Sequence, residues 1–275
     1  DSDESRGLGD VYKRQYLWSS FSKRNGFLMS NILFNNALNR VPQKTPPIWF
    51  MRQAGRYHSH YQNLKEDYSF EELCKNPELA AQTALGPIND FDFDVSILFS
   101  DILFPLEALG MDLKYNPGPI FGKFINNSNY DELKTAEEAV FDLTFQSEAL
   151  KITREILPKN KSLIGFVGGP WTVASYGTGM NKGVNHKGNF KNDFIFKLLT
   201  KKIIPLLKRN IELQISSGAE IVMIFDTDAS RIENKKDFYD YSNLVYENLI
   251  KPFDRKVGFF AKHPFNYDFF IENIN

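Results

Sequence analysis

Five short runs of apolar residues constrain the fold of this 275-residue chain more than any other feature. Successive side chains of a strand point to opposite faces of the sheet. A run that is apolar at every position therefore predicts a strand that is buried on both faces, as in a parallel sheet. The five runs are Pro47–Met51, Val95–Phe99, Ser162–Val167, Glu220–Phe225 and Val257–Phe260.

Helical periodicity fills the intervals between these runs. The predicted helices extend from Glu78 to Asn89, from Thr135 to Leu157, from Asn192 to Ser217 and from Phe238 to Ile250. Thr135 and Glu138 fit a capping box, and Pro205 is expected to kink the third helix. Because strand and helix alternate along the chain, we expect a parallel sheet with right-handed crossovers.

Polar residues or glycines follow each predicted strand at its C-terminal end, which favours a closed barrel over an open sheet. They are Arg52, Asp101, Gly168-Gly169-Pro170, Asp226-Thr227 and Lys262-His263. In a (β/α)8 TIM barrel these ends meet at one mouth, which carries the active site. We therefore expect an α/β chain with about five of the eight strand–helix units. Three more units would need on the order of 80 residues after Asn275.

Composition excludes several classes of function. A net charge of -1 supplies no global field that would attract nucleic acid or an anionic membrane. The single cysteine, Cys74, excludes an internal disulfide and is expected to be a small buried apolar residue. No apolar run approaches the ~20 residues that span a bilayer, so we expect a cytoplasmic protein.

One domain is expected over residues 29–275. Residues 1–28 mix acids, bases and glycines without an apolar stretch, and we expect a disordered or artefactual segment there, with Met29 as the start of the folded chain. No internal repeat or low-complexity linker divides the remainder. The last residues, Phe269-Phe270-Ile271, are expected to lie inside a helix, so the domain is expected to be incomplete at its C-terminus.

The segment from Trp49 to Tyr57 carries the first candidate chemistry. It places Arg52 and Arg56 four residues apart on a turn at the end of a predicted strand. Arginine holds carboxylates in two-point contact and stays charged at any working pH, and Gly55 lets the backbone approach a ligand closely. On spacing alone, a surface loop with solvated arginines is an equally good interpretation.

These residues resemble a known family. Pro47 to Tyr57 is similar throughout to the N-terminal signature of the uroporphyrinogen decarboxylases, Pro-x-Trp-x-Met-Arg-Gln-Ala-Gly-Arg-Tyr. Three later segments resemble further signatures of that family in the same order: Phe99-Ser100-Asp101-Ile102-Leu103, Gly168-Gly169-Pro170-Trp171-Thr172 with Tyr176, and Ile224-Phe225-Asp226-Thr227. The resemblance covers residues 29–275.

The resemblance implies a TIM barrel and a carboxy-lyase of porphyrin and haem biosynthesis that uses no cofactor and no metal. Its reaction shortens the four acetate arms of uroporphyrinogen III to methyl groups, which gives coproporphyrinogen III and carbon dioxide. It also implies a homodimer. Asp101 and Arg52 would be catalytic. The substrate would be bound by Arg52, Gln53, Ala54, Gly55, Arg56, Asp101, Tyr176 and Thr227.

Several of these residues have an alternative interpretation. The proton donor stays open among Arg52, a carboxyl group of the substrate and a water held by Arg52. Asp101 is otherwise a helix N-cap, Tyr176 a packing residue and Thr227 a structural hydroxyl at a strand end.

The chain departs from the family pattern at three places. His58-Ser59-His60 and Asp228 replace the usual family residues, and the Gly-His-Gly turn of the family's last strand is missing. A catalytically incompetent tetrapyrrole-binding fragment is therefore the alternative function. A zinc-dependent methyltransferase of the same fold would need more cysteines than Cys74. His58 and His60 could hold a metal, although a solvent-exposed pair is the favoured interpretation.

Overall fold

A parallel sheet forms the centre of the computed structural model, which describes residues 30–182, 190–262 and 268–269. The strands are β1 (Val95–Ile97), β2 (Leu113–Tyr115), β3 (Pro119–Phe121), β4 (Ser162–Gly168), β5 (Ile221–Asp226) and β6 (Val257–Ala261). Strands β1, β4, β5 and β6 are neighbours in that order and all pair in parallel. Strands β2 and β3 form a separate antiparallel hairpin.

Among the described residues, four helices precede β1 and the others lie between later strands. They are α1 (Ile32–Leu38), α2 (Ser59–Asp67), α3 (Phe70–Lys75), α4 (Pro77–Phe91), α5 (Phe104–Ala108), α6 (Ala136–Ala139), α7 (Thr144–Ile156), α8 (Pro170–Thr178), α9 (Asp193–Leu198), α10 (Ile204–Ser216) and α11 (Lys235–Val245). No helix in the described part of the chain is long and apolar enough to cross a membrane.

Four of the five predicted strands are confirmed, and the first is wrong. Residues 47–51 do not form a strand; they run beside the start of β1, where the Asp94 N–H donates to the Ile48 carbonyl at 3.0 Å. The Asp94 carboxylate accepts the Ile48 N–H at 2.8 Å. Pro46 and Pro47 have no N–H to donate to a ladder, which explains why regular pairing does not extend here.

The two longest predicted helices are each interrupted. The Thr135–Glu138 capping box is confirmed, but α6 gives way to a 3-10 segment, Val140–Leu143, before α7 begins. A π-helical segment, Leu199–Ile203, joins α9 to α10 just before Pro205. Because Pro205 has no N–H, it cannot make the bond that a continuous α-helix requires there, and the wider turn accommodates this.

Strands β1, β4 and β5 are buried on both faces, as the apolar runs predicted, whereas β6 is only partly buried and Phe260 is exposed. The larger core lies between one face and the surrounding helices. The opposite face carries a smaller cluster: Phe34, Val95, Ile97, Ile164, Ile221 and Phe225. Helix α1 brings Phe34 to this face, and the backbone N–H of Asn31 donates to the Ser162 hydroxyl at the first residue of β4. Helix α1 and the residue before it thus pack near the start of β4.

Candidate active site

The turn after residue 50 is folded around Gln53, whose side chain is 2% exposed. Its Oε1 accepts the Phe50 N–H at 3.1 Å, and its main-chain carbonyl accepts the Tyr57 hydroxyl. The His58 N–H closes the turn on the Gly55 carbonyl at 2.9 Å. The Nε2 of Gln53 has no partner among the described residues, so it is the free donor of this turn.

Arg52 and Arg56 are both exposed on this turn. The guanidinium of Arg52 is close enough to Asp101 to lower the pKa of that carboxyl group, and Arg56 lowers the pKa of the Tyr61 hydroxyl. Both positive charges therefore lie on the side of the sheet where β1 ends.

Asp101 lies in the loop between β1 and α5, and its side chain is mostly buried. Its Oδ1 accepts the backbone N–H of Leu103 at 2.8 Å, so one oxygen closes the turn that leads into α5. Burial raises the pKa of Asp101 above its ordinary value. The Leu103 N–H, the Tyr115 hydroxyl and the Arg52 guanidinium each lower that pKa. The capping role is thus observed in part, two residues before the N-cap position itself, which is Leu103.

Two buried groups lie within electrostatic reach of Asp101. Burial raises the pKa of the Tyr115 hydroxyl at the end of β2, and the nearby Asp101 charge raises it further. The Cys74 thiol on α3 is 1% exposed, and burial, followed by Asp101, raises its pKa well above the usual range. Cys74 is therefore a protonated, buried apolar residue, as the sequence predicted.

Helix α8 brings Tyr176 to the same end of the sheet. It begins directly after Gly169, whose N–H donates to the Phe225 carbonyl at 2.8 Å. A Cβ at Gly169 would lie 2.2 Å from side-chain atoms of Asp226, so only glycine fits there. Burial raises the pKa of the half-buried Tyr176 hydroxyl, and the charges of Asp228 and then Asp101 raise it further. Tyr176 is therefore within electrostatic reach of two carboxylates.

Asp226, the last residue of β5, is fully buried. Its Oδ1 accepts both the N–H and the hydroxyl of Thr172, each at 2.8 Å, and its Oδ2 accepts the Tyr241 hydroxyl. The Tyr241 oxygen in turn accepts the Trp171 N–H at 2.8 Å. Asp226 thus joins the end of β5 to the first turn of α8 and to α11.

The turn after β5 carries Thr227, Asp228 and Arg231. Thr227 is exposed at the mouth. Asp228 accepts the Ser175 hydroxyl of α8 at 2.6 Å and lies 3.4 Å from the Nε of Arg231. The unexpected carboxylate is therefore paired within the protein.

His58 and His60 do not form a solvent-exposed pair, so that interpretation is wrong for His58. Its ring is 3% exposed, and its Nε2 lies 2.6 Å from the Asp90 carboxylate. The Nε2 of His60 lies 3.1 Å from the Gln82 carbonyl. Within residues 30–182, 190–262 and 268–269, no group of three or more His, Cys, Asp or Glu side chains could hold a metal ion.

The structure brings Arg52 and Tyr176 each within electrostatic reach of Asp101 and places Thr227 at the same end of the sheet. His263 and Phe270-Ile271 lie outside the described residues, as do residues 1–28 and Met29. The sequence pattern singled out Asp226 as a strand-end polar residue without giving it a task. It gave no signal for Tyr241, which lies in the middle of an ordinary amphipathic helix.

Comparison with known sequences identifies relatives. A family model described as uroporphyrinogen decarboxylase (URO-D) matches residues 29–268. The uroporphyrinogen decarboxylase of Campylobacter jejuni subsp. jejuni serotype O:2 is 39% identical over 231 residues, which cover 80% of this chain and 67% of the relative. That of Orientia tsutsugamushi (strain Ikeda) is 41% identical over 239 residues, which cover 83% of this chain and 67% of the relative. The chain thus spans about two thirds of the length of these relatives.

Comparison with solved structures finds the same fold class. A methyltransferase from Methanosarcina mazei superposes with a TM-score of 0.69, covering 90% of this chain and 73% of that one, at 17% sequence identity. At this identity the similarity concerns the fold alone. Together with the parallel sheet and its helices, it confirms the α/β fold of the TIM-barrel type that the sequence predicted.

Proposed function

Because the chain belongs to the uroporphyrinogen decarboxylase family, a family of carboxy-lyases in haem biosynthesis, we propose that it decarboxylates uroporphyrinogen at a site centred on Asp101. One observation carries the assignment of the site. Asp101 is a mostly buried carboxylate at the end of β1, with Arg52 and Tyr176 in electrostatic reach. This end of the sheet therefore combines the Asp101 carboxylate with groups that can bind anions.

Asp101 stabilises the positive charge that develops on the substrate during decarboxylation. When a pyrrole ring takes up a proton it becomes cationic. The carbon–carbon bond to the carboxylate then breaks, carbon dioxide leaves, and the electron pair moves into the ring. An ionised Asp101 facing the pyrrole N–H groups stabilises the cation. At ~4 Å and an effective dielectric constant of ~20 this attraction is about 4 kcal/mol. That corresponds to roughly a thousandfold in rate.

Burial strengthens this role. Excluding water from the Asp101 side chain raises the free energy of its charged form, which its raised pKa reports. The carboxylate is therefore stabilised most when a cation forms beside it. Because the Leu103 N–H holds Oδ1, the carboxyl group keeps one orientation, and Oδ2 is the oxygen available to the substrate.

The carboxylate arms of the substrate are bound by the turn around Gln53. Arg52 and Arg56 are exposed there and offer two-point contacts, and the Nε2 of Gln53 is a donor without a partner among the described residues. The backbone at Ala54 and Gly55 lines the same turn. Tyr176 supplies a hydroxyl group from α8, and Thr227 supplies one from the end of β5. The final proton comes from Arg52, from a carboxyl group of the substrate, or from a water held by Arg52.

Anaerobic incubation of the purified chain with uroporphyrinogen tests this proposal, with chromatography of the oxidised products as the measurement. We expect coproporphyrinogen and released carbon dioxide. Asp101→Asn should lower kcat about a thousandfold while uroporphyrin still binds. The matched control is Asp142→Asn, which removes an exposed carboxylate paired with Lys134 and should leave kcat unchanged.

Two outcomes decide against the proposal. Unchanged turnover in Asp101→Asn removes Asp101 from the mechanism. A wild-type chain that binds uroporphyrin but releases no carbon dioxide is a tetrapyrrole-binding protein instead.

We also propose, from family membership, that the active form is a cytoplasmic homodimer whose folded domain comprises residues 29–275. Light scattering coupled to size-exclusion chromatography should give twice the mass of the 31.7 kDa chain. A monomer that is fully active contradicts the dimer as a requirement.

A further inference from the structure

The turn after β5 carries a positive charge that the family resemblance does not assign. We propose that Arg231 binds a carboxylate arm of the substrate, and that Asp228 and the backbone of Asn181 hold its guanidinium in position. This inference rests on the proposed function, since it concerns the same site and the same polyanionic ligand. It also gives a task to Asp228, which departs from the family pattern.

The guanidinium of Arg231 is fixed on one side and open on the other. Its Nε lies 3.4 Å from Oδ2 of Asp228, and its Nη2 donates to the Asn181 carbonyl at 3.3 Å. Its Nη1 makes no hydrogen bond to the described residues, and the side chain is 47% exposed. An arginine held in this way loses less rotamer entropy when it binds a carboxylate.

Asp228 does not repel an anionic ligand as a free carboxylate would. Its side chain is 17% exposed, and its Oδ2 accepts the Ser175 hydroxyl at 2.6 Å in addition to facing Arg231. Its own backbone N–H donates to the Thr172 hydroxyl at 3.0 Å. The acid is thus tied to α8 at two successive turns, and its charge is offset by the arginine it holds.

Arg231 faces the same space as the residues assigned above. The Tyr176 hydroxyl lies within electrostatic reach of Arg231, which lowers its pKa, and of Asp228 and Asp101, which raise it. Arg52 lies within electrostatic reach of Asp101, which also acts on Tyr176. A ligand that carries carboxylates around its rim therefore meets more than one cation at this site, and Nη1 of Arg231 is a donor that makes no hydrogen bond to the described residues.

Steady-state kinetics with uroporphyrinogen and fluorescence titration with uroporphyrin test this inference. Arg231→Gln should raise KM and the Kd for uroporphyrin about tenfold, while kcat stays within about twofold. Arg231→Lys should raise them about threefold, because an ammonium keeps the charge without the fork of donors. Arg209→Gln is the matched control, since Arg209 lies on α10 in exposed pairs with Glu137 and Glu212, and it should change neither constant.

The role of Asp228 is tested separately. Asp228→Asn should raise KM about threefold by loosening Arg231. The double variant with Arg231→Gln should be no worse than Arg231→Gln alone, because the two residues act as one unit. Effects that multiply in the double variant contradict the positioning role.

Failure of the inference differs from failure of the proposed function. Wild-type turnover with an unchanged KM and Kd in Arg231→Gln overturns the role of Arg231 alone. Uroporphyrin binding without turnover overturns the decarboxylase proposal, while the titration with Arg231→Gln still decides the binding role. A wild-type chain that neither binds nor converts its ligand overturns both.

Discussion

Two aspartates at the C-terminal end of the sheet, Asp101 after β1 and Asp226 at the end of β5, show how differently the same residue type is used. Asp226 is fully buried, and both of its oxygens accept hydrogen bonds from Thr172 and Tyr241. Asp101 is mostly buried, but a single backbone N–H is the hydrogen bond that it accepts in good geometry, and cationic Arg52 lies near it. Burial raises the pKa of both carboxyl groups.

The comparison teaches that a raised pKa alone does not identify a reacting group. Asp226 has no oxygen left for a ligand, so its burial serves the connection between β5, α8 and α11. Asp101 keeps one oxygen for an incoming group, and a cation beside it relieves the cost of its burial. Spare hydrogen-bonding capacity distinguishes the reacting acid from the structural one.

The largest expected effect is on stability. Asp226→Ala removes the acceptor of three hydrogen bonds and leaves the Tyr241 hydroxyl and the Thr172 donors buried without a partner. We expect a loss of about 4 kcal/mol in the free energy of unfolding, measured by urea denaturation. Asp101→Ala should cost about 1 kcal/mol, because it removes one hydrogen bond at a half-open site. Equal losses of unfolding free energy in Asp226→Ala and Asp101→Ala would contradict the distinction between a structural and a reacting aspartate.

The next largest expected effect is a pH dependence of the free energy of unfolding that arises from Asp226. Burial raises its pKa to about 6, whereas an aspartate in an unfolded chain titrates near ~4. The folded state therefore holds the proton more tightly, so the stabilisation is complete below about pH 4 and is lost as the pH rises through about 6. Relative to Asp226→Asn, the wild-type free energy of unfolding should fall by on the order of 2 kcal/mol over this interval.

Parallel urea titrations from pH 4 to pH 7 measure this difference. Asn keeps the Oδ1 that Thr172 needs and does not titrate, so it isolates the contribution of the proton. Superimposable pH profiles for the two proteins would show that Asp226 does not titrate in this range.

A smaller effect is expected at Tyr176, which is within electrostatic reach of Asp101 and Asp228. Tyr176→Phe keeps the ring and removes the hydroxyl that faces Asp101 and Asp228. We expect kcat/KM to fall about tenfold with little change in the thermal unfolding midpoint. Tyr68→Phe, which alters an exposed tyrosine on the outer surface, is the control. A lowered midpoint with full activity would make Tyr176 a packing residue.

The smallest effect is expected at Thr227, the neighbour of Asp226 in sequence. Its side chain is exposed and has no hydrogen bond in the described structure. Thr227→Ala should raise KM about twofold and leave stability unchanged, because it removes one solvated donor to a substrate arm. A change in stability without a change in KM would place Thr227 with the structural group around Asp226.

Much of the fold followed from local pattern. Apolar runs at both parities located β1, β4, β5 and β6, and the capping box at Thr135 located the start of α6. The pattern failed at residues 47–51, where Pro46 and Pro47 deny the sheet its donors, and at the π-helical segment before Pro205. In both places proline lacks the N–H that a regular strand or helix would need, although the apolar periodicity predicts a regular element.

The sequence by itself determined which residues lie at the strand ends and to which family the chain belongs. Only the tertiary structure decided what each one does there. The fate of Asp226 depends on Thr172, 54 residues away, and on Tyr241 in the following helix, while that of Asp101 depends on Arg52 and Tyr115 from separate elements. Burial and hydrogen bonding are set by such distant partners, and no local pattern encodes them.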